Sequence, residues 1–164
     1  MRRLALSLSI LALSLVVLGV LSISSCTTVP DDIGLEDGRL RPCPSSPNCV
    51  CSESAGVPSS IAPLTYTDRF AGRGAEALES LVAYLRTLPR VEVVTQEPGY
   101  VHAVFTTPLM RFRDDVELRL DEANGAIQVR SASRVGHSDL GANRARVESL
   151  RTGWSRWTPP PAGK

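Results

Sequence analysis

The chain has 164 residues, which is enough for an N-terminal targeting segment followed by one domain. Its 18 Lys and Arg residues almost balance its 17 Asp and Glu residues, and the formal net charge is +1. Proteins that bind nucleic acids need a strong basic field, so this balance argues against a nucleic-acid partner and we expect none.

The first 25 residues have the pattern of an export signal. Arg2 and Arg3 precede an apolar, uncharged stretch from Leu4 to Leu21, and small residues then lead to Cys26. A positive start, an apolar stretch and a small-residue cleavage site are typical of a signal peptide. The apolar stretch is also nearly long enough to span a bilayer, so an uncleaved membrane helix is the alternative.

The letters LSISSC, which end at Cys26, resemble a bacterial lipobox. The resemblance implies cleavage before Cys26 and acylation, such as with palmitate, of its thiol and its new amino group. Several acyl chains hold a protein durably on a membrane. Thr27 rather than Asp follows the cysteine, so we expect a cell-envelope protein on the outer membrane, facing the periplasm, rather than on the inner membrane. Either alternative exports the domain to a compartment where disulfides form.

Composition divides the rest of the chain into three parts. Residues 26–40 are polar and short of large apolar side chains, and we expect a lipid-anchored tether there. Residues 41–157 are predicted to fold as one domain. The tail at 158–164, TPPPAGK, is too rich in proline for a helix or a strand.

The first clear element of the domain is an amphipathic helix at residues 74–88. Large apolar residues recur at helical spacing from Leu78 to Leu88 and form one stripe. Pro89 then ends the helix. Two strands are predicted next, at residues 91–95 and 100–107.

The last two strands are predicted to form a hairpin. Apolar residues alternate with polar ones at 116–121 and at 127–130, which is typical of a half-buried antiparallel pair. Asn124–Gly125 between them is the strongest two-residue turn signal. A turn at these two residues sets Leu120 opposite Val129.

One face of this hairpin is charged. The same register sets Arg119 opposite Arg130, where like charges are destabilising unless acids or a ligand intervene. The face holds Asp115, Glu117 and Arg134 as well. Two interpretations stay open: a solvated face of ion pairs worth about 0–1 kcal/mol each, or an anion-binding surface.

A polar stretch after the hairpin is predicted to begin a second helix. Ser138 or Asp139 is able to cap a helix that runs from about Leu140 to Arg151, and Gly153 is expected to end it. The stretch is rich in arginine beside a helix N-terminus, where the free amides already favour an anion. The apolar stripe of this helix is thin and consists of Leu140, Val147 and Leu150.

Together these elements predict an α+β fold. We expect an antiparallel sheet of about four strands with two helices packed on one face.

Three segments resemble the signature blocks of a bacterial and plastid family, Domain of Unknown Function 1499. They are CPSSPNC at 43–49, FTTPLMRFRDDVELRLD at 105–121 and VRSASRVGHSDLGANRARVESLR at 129–151. The family has no established activity, so the resemblance implies matching positions and no chemistry. One departure is Cys51, where the family usually has serine.

Three cysteines remain once the predicted lipidated one is set aside. One interpretation is a Cys43–Cys49 disulfide that closes a proline-rich loop, with Cys51 free or paired between molecules. The other is a metal site that adds His102 or His137. The cysteine spacing matches no standard zinc motif, and exported thiols oxidise. We therefore expect a disulfide, no metal and no cofactor.

These features favour a non-catalytic envelope lipoprotein that binds a small anion, a lipid head group or a protein partner. We expect its ligand-binding residues on the charged face and in the polar stretch that follows: Asp115, Glu117, Arg119, Arg130, Ser131, Ser133, Arg134, Asp139, Asn143, Arg144 and Arg146.

Two alternatives remain. One is a hydrolase-type enzyme that uses His102 or His137 with Asp114 or Asp115, although the chain contains no G-x-S-x-G nucleophile elbow. The other is a purely structural role in the envelope.

Overall fold

The structure, a computed structural model, describes residues 28–159. The predicted export signal, the lipobox-like segment with Cys26 and most of the proline-rich tail lie outside the described residues. Within residues 28–159, no helix is long and apolar enough to cross a membrane.

Short strands and one short helix fill the first part of the described chain, and the long elements follow. In chain order the elements are β1 (Leu35–Glu36), β2 (Arg39–Leu40), β3 (Cys49–Cys51), β4 (Leu64–Thr65), α1 (Thr67–Phe70), α2 (Gly74–Leu85), β5 (Val91–Glu97), β6 (Tyr100–Thr106), β7 (Arg113–Asp121), β8 (Ala126–Ser133) and α3 (Ala142–Arg156).

The fold is α+β, with a mostly antiparallel sheet. Strands β3, β8, β7, β6 and β5 lie side by side in that order, and β4 also pairs with β8. The described chain therefore has six strands in this sheet and three helices, where the sequence predicted about four strands and two helices. The extra elements β3, β4 and α1 are only two to four residues long, too short to show a periodic pattern.

The main core lies between one face of the sheet and the helices. Leu78, Leu81 and Leu85 of α2 are buried in the same cluster as Val147 and Leu150 of α3. The amphipathic stripe predicted for α2 is thus confirmed as far as Leu85, whereas the helix ends there and Leu88 lies beyond it. We call this side of the sheet the helix face and the opposite side the outer face.

The hairpin of β7 and β8 differs from its predicted register by two residues. Leu120 pairs with Ile127 rather than with Val129, and Glu117 rather than Arg119 lies opposite Arg130. The turn is a short 3-10 helix at Glu122–Asn124 followed by Gly125 in the left-handed conformation. The prediction of a two-residue turn at Asn124–Gly125 was therefore wrong. A shift of two residues keeps every side chain on its predicted face.

Helix α3 begins and ends later than predicted. It starts at Ala142, and Leu140 lies before it with 98% of its surface exposed, so Leu140 is not part of the apolar stripe. The helix also runs through Gly153, which therefore does not end it. A Cβ at Gly153 would lie 1.9 Å from the hydroxyl of Tyr84 on α2, so the glycine leaves room for the Tyr84 side chain against α3.

The segment at residues 28–42, which includes most of the predicted tether, lies against the outer face of the sheet. Leu40 is buried there with Tyr100 of β6 and Cys51 of β3. The backbone N–H of Gly34 donates to Glu117 Oε1 at 2.7 Å. We call residues 28–42 the covering segment.

Candidate functional site

A buried charged network lies on the outer face beneath the covering segment. Glu117 and Arg130 are directly opposite on β7 and β8, and their side chains are 0% and 1% exposed. Arg130 Nη1 donates to Glu117 Oε2 at 2.8 Å. The hydroxyl of Tyr100 donates to Glu117 Oε1 at 2.8 Å, and the second Arg130 Nη donates to Asp32 of the covering segment.

A second part of the network centres on Asp115. Arg134 donates from Nε and Nη2 to its two carboxylate oxygens, each at 2.8 Å. His102 Nε2 lies 2.7 Å from Asp115 Oδ1, and both side chains are 2% exposed. Burial alone would raise the pKa of Asp115, but the hydrogen bonds from His102 and Arg134 outweigh it and hold that pKa below its usual range.

Acidic side chains lie between the arginines of the charged face, and this arrangement explains how the face avoids contacts between like charges. The predicted contact of Arg119 with Arg130 does not form, and Arg119 instead donates to the buried Glu53 at 2.9 Å. A cavity of about 240 Å³ lies between the covering segment and this face, but Arg130 and Arg134, which line it, are already bound to carboxylates. The face is neither solvated nor an open set of cations.

The remaining predicted binding residues lie mostly on the helix face, where α3 meets the sheet. Ser131 donates to Asn143 Oδ1 at 2.6 Å, and the Asn143 amide donates to Ser133 Oγ at 2.9 Å. Arg146 forms an ion pair with Asp114 and also donates to Ser131. We call these five residues the helix-face polar cluster.

Asp139 and Arg144 lie near this cluster and fix the loop that precedes α3. Asp139 accepts from the backbone N–H groups of Gly141 at 2.9 Å and Asn143 at 2.7 Å. Burial would raise its pKa, but these hydrogen bonds lower it below the usual range. Arg144 instead donates to the carbonyls of Pro58 and Ser60. The N-cap position is Gly141 rather than the predicted Ser138 or Asp139, but the Asp139 carboxylate still binds the start of α3.

A larger cavity, of about 650 Å³, opens at the end of the sheet beside the start of α3. The loop between β6 and β7 (residues 107–112) forms one wall, and the loop between β8 and α3 (residues 134–141) forms the other. Apolar side chains of Phe112, Val135, Leu140 and Ala142 line it. We call it the end cavity.

Polar groups lie among these apolar walls. Asp114 of the helix-face polar cluster and Ser133 at the end of β8 line the end cavity, together with Asp139 and the hydroxyl-bearing Thr107. A concave, mostly apolar space with a few fixed polar groups is the usual form of a small-molecule site.

The cysteines and histidines do not come together. Cys43 and Cys49 form the predicted disulfide, and Cys51 is free and buried. His102 lies on the outer face, whereas His137 is exposed in the loop before α3. Among residues 28–159, no three side chains of the His, Cys, Asp and Glu type are grouped so that they could hold a metal ion.

The residues proposed for hydrolysis are divided by the sheet. His102 contacts Asp115 on the outer face, and its ring is held away from solvent. Asp114 is the neighbouring residue on β7 and therefore points to the helix face, where it is bound by Arg146. The structure brings together one His–Asp pair, in a buried position.

Comparison with protein families identifies the chain. The family model described as "Protein of unknown function (DUF1499)" matches residues 39–153, so the chain belongs to this family. The comparisons with curated proteins and with solved structures found no match.

Sequence reasoning missed several residues of the end cavity, above all Phe112, Val135 and Leu140. A signal was present at residues 105–121 and 129–151. Each of these segments contains the end of a strand next to a loop with apolar residues. In an antiparallel sheet the end of β6, the start of β7 and the end of β8 meet at one edge. That topology brings the two loops together.

Proposed function

We propose that the protein is a non-catalytic module of the cell envelope that binds a small amphiphilic ligand in the end cavity. The observation that carries the proposal is the cavity itself. Its volume of about 650 Å³ falls within the range of roughly 300–1,000 Å³ that is usual for small-molecule sites. Both walls lie within residues 39–153, which the family model matches.

The lining of the end cavity suggests the chemistry of the ligand. Phe112, Val135 and Leu140 offer apolar contact, and Ser133 offers a hydroxyl. Asp114 is bound to Arg146 and Asp139 to the N–H groups of Gly141 and Asn143, but each carboxylate has about four lone-pair sites and retains some for a ligand. The two carboxylates favour a polar group that donates hydrogen bonds, such as a hydroxyl or an amine. An acyl or ring body with such a group would match both parts of the site.

The charged outer face supports a structural role rather than ligand capture. Its arginines are bound to Asp32, Glu117 and Asp115, so a free anion would have to displace a bound carboxylate. The burial of His102 against Asp115 likewise favours a role in folding over a role as a general base, which needs contact with a substrate. Of the predicted binding residues, Ser133 and Asp139 are the two that line the end cavity, and Asn143 and Arg146 hold the walls.

The envelope location rests on the N-terminal sequence. The lipobox-like segment that ends at Cys26 favours a lipid anchor. The Cys43–Cys49 disulfide agrees with an oxidising compartment outside the cytoplasm.

Two matched variants of the full chain test the binding proposal. Ala142 and Ala145 are both exposed and lie three residues apart on α3, and of the two only Ala142 lines the end cavity. Ala142→Trp should fill the cavity, whereas Ala145→Trp should leave it open. The wild type and both variants would be purified in parallel from an exporting host, and the small molecules released on denaturation would be identified by mass spectrometry.

We expect one amphiphilic compound to accompany the wild type and Ala145→Trp in stoichiometric amounts and to be lost from Ala142→Trp. Equal recovery of that compound from all three proteins, or its absence from all three, would exclude the end cavity as a ligand site.

A further inference from the structure

We propose that the end of the domain formed by residues 107–112 and 134–141 rests on the membrane to which the chain is anchored. We call this region the loop end. The proposal goes beyond ligand binding, because it assigns a lipid contact to the outside of the two loops. It requires an N-terminal anchor of either predicted kind, lipid at Cys26 or an uncleaved apolar helix.

Apolar side chains are unusually exposed at the loop end. Leu140 is 98% exposed and Leu109 is 88% exposed, and these are the two most exposed large apolar side chains among residues 28–159. Met110, next to Leu109 in the sequence, is 36% exposed. The loops that carry Leu109 and Leu140 line the same cavity. Grouped apolar side chains on a surface mark contact with a partner or a membrane, whereas single ones are ordinary.

The backbone holds Leu140 in this exposed position. Leu140 has a φ of +54°, in the left-handed region that large side chains rarely adopt. The Asp139 carboxylate accepts from the N–H groups of Gly141 and Asn143, which follow Leu140, and so fixes the conformation. A strained residue held by its neighbours is typical of functional positions.

The described chain begins at the loop end. The carbonyl oxygen of Thr28 accepts from Arg134 Nη1 at 3.2 Å, and Arg134 is the first residue of the loop that carries Leu140. Cys26 precedes Thr28 by two residues, which span at most about 7 Å of extended chain. A lipid anchor at Cys26 would therefore enter the bilayer close to Arg134, at the start of the loop that carries Leu140. An apolar helix that ends at Leu21 would lie within about 25 Å of the same point.

An exposed cation completes this surface. Arg111 lies between Met110 and Phe112 and is exposed. An arginine beside apolar side chains suits the boundary of a bilayer, because its stem packs on hydrocarbon while its guanidinium reaches the phosphates. The partner that fits the loop end is thus a phospholipid surface.

Photocrosslinking of the full chain in vesicles tests the proposal. The protein would be reconstituted with phosphatidylethanolamine and phosphatidylglycerol that include a phospholipid with a diazirine in its acyl chain. After irradiation and digestion, tandem mass spectrometry would locate the adducts. Val94, 47% exposed on the edge strand β5, is the internal control.

We expect several-fold more adducts at Leu109 and Leu140 than at Val94. The double variant Leu109→Ser, Leu140→Ser should reduce the number of adducts on Met110, the neighbour of Leu109, several-fold. The control variant Val94→Ser should leave the adducts on Met110 unchanged. Adducts spread equally over Val94 and the loops, or absent from the loops, would overturn the proposal.

The variant Ala142→Trp separates this proposal from the cavity proposal. Adducts at Leu109 and Leu140 that persist in Ala142→Trp support contact with the bilayer. Adducts that disappear in Ala142→Trp would come from a lipid inside the end cavity, which would overturn membrane contact and support the binding function instead.

Discussion

Glu117 and Arg130 lie directly opposite each other on neighbouring strands and form an ion pair of 2.8 Å in which neither side chain is more than 1% exposed. The pair is completed by the hydroxyl of Tyr100 on one side and by Asp32 of the covering segment on the other. Burial raises the pKa of Tyr100, and the neighbouring Glu117 carboxylate raises it further. The hydroxyl of Tyr100 therefore stays protonated and remains a hydrogen-bond donor. The pair therefore joins the sheet to the segment that covers it.

Removing one member of this pair should be strongly destabilising. Arg130→Met leaves the Glu117 carboxylate buried without its cation, and we expect the free energy of unfolding to fall by about 3–5 kcal/mol. Urea unfolding followed by circular dichroism measures the loss. Arg73→Met, which breaks an exposed ion pair with Glu76, is the control and should cost less than about 1 kcal/mol.

A double variant shows whether the loss comes from the unpaired charge. Arg130→Met combined with Glu117→Leu removes both buried charges, and we expect it to recover much of the stability lost by Arg130→Met alone. If the double variant loses as much free energy of unfolding as Arg130→Met and Glu117→Leu lose in total when made separately, the unpaired buried charge is not the cause.

The contact between α2 and α3 depends on Gly153. Replacing glycine by alanine inside a helix normally stabilises it by up to about 1 kcal/mol. Here the new methyl group meets the Tyr84 hydroxyl at 1.9 Å, and overpacking of this kind costs roughly 1–3 kcal/mol. We expect Gly153→Ala to lower the urea midpoint.

The same substitution should change sign when the tyrosine is removed. In a Tyr84→Ala background, Gly153→Ala should raise the midpoint, because only the helix preference remains. If Gly153→Ala raises the midpoint of both the wild type and Tyr84→Ala, the Tyr84 side chain does not crowd position 153.

The stability contributed by Asp115 should depend on pH in the acid range. Because its pKa in the folded protein is lowered, below the value near 3.9 of an unfolded chain, its stabilisation is fully present above about pH 4 and is lost as the pH falls through the folded pKa. The variant Asp115→Asn lacks this titration. Urea midpoints of both proteins would be measured from about pH 7 to about pH 2, and we expect the gap between them to narrow at the acid end. A constant gap would contradict the lowered pKa.

The Cys43–Cys49 disulfide should stabilise the loop that holds the end cavity. Asn48, next to Cys49, donates to the carbonyls of Ser133 and Gly136 at 3.3 and 2.6 Å. Breaking the disulfide that closes so short a loop should lower the free energy of unfolding by about 2–3 kcal/mol in the chain-entropy model. We expect reductant to lower the urea midpoint of the wild type and to have no effect on Cys43→Ala, Cys49→Ala. A wild-type midpoint that reductant leaves unchanged would show that the bond does not form.

The strand faces could be predicted from the sequence, but the register could not. Alternation of side chains has a period of two, so Glu117 and Arg130 lie on the same face in both the predicted and the observed register, which differ by two residues. The register depends on the turn, and Asn124–Gly125 contributes to a longer turn in which Asn124 donates to the Asp121 carboxylate. Local residue preference did not distinguish the two turns.

Burial of the charged face also lay beyond the sequence. The covering segment has few large apolar residues, and its contacts with the charged network are single polar groups such as Asp32 and the N–H of Gly34. Asp32 binds Arg130 across a separation of 98 residues. Such pairings leave no periodic pattern, so a charged face that is covered has the same sequence pattern as one that is solvated.

The helix-face polar cluster was found only in part for a similar reason. Ser131, Asn143 and Arg146 were expected to bind a ligand, and they do lie together. Their partner Asp114 was considered only as a catalytic acid, because its contact with Arg146 joins two elements that are far apart in the sequence.

A crystal structure of the full chain, purified from an exporting host without removal of bound lipids, would show whether the end cavity holds a ligand. We expect continuous density for an elongated amphiphile in the end cavity, with its polar group within hydrogen-bond distance of Asp114, Ser133 or Asp139. Ordered water alone in that cavity, in a protein with both loops in the same conformation, would contradict it.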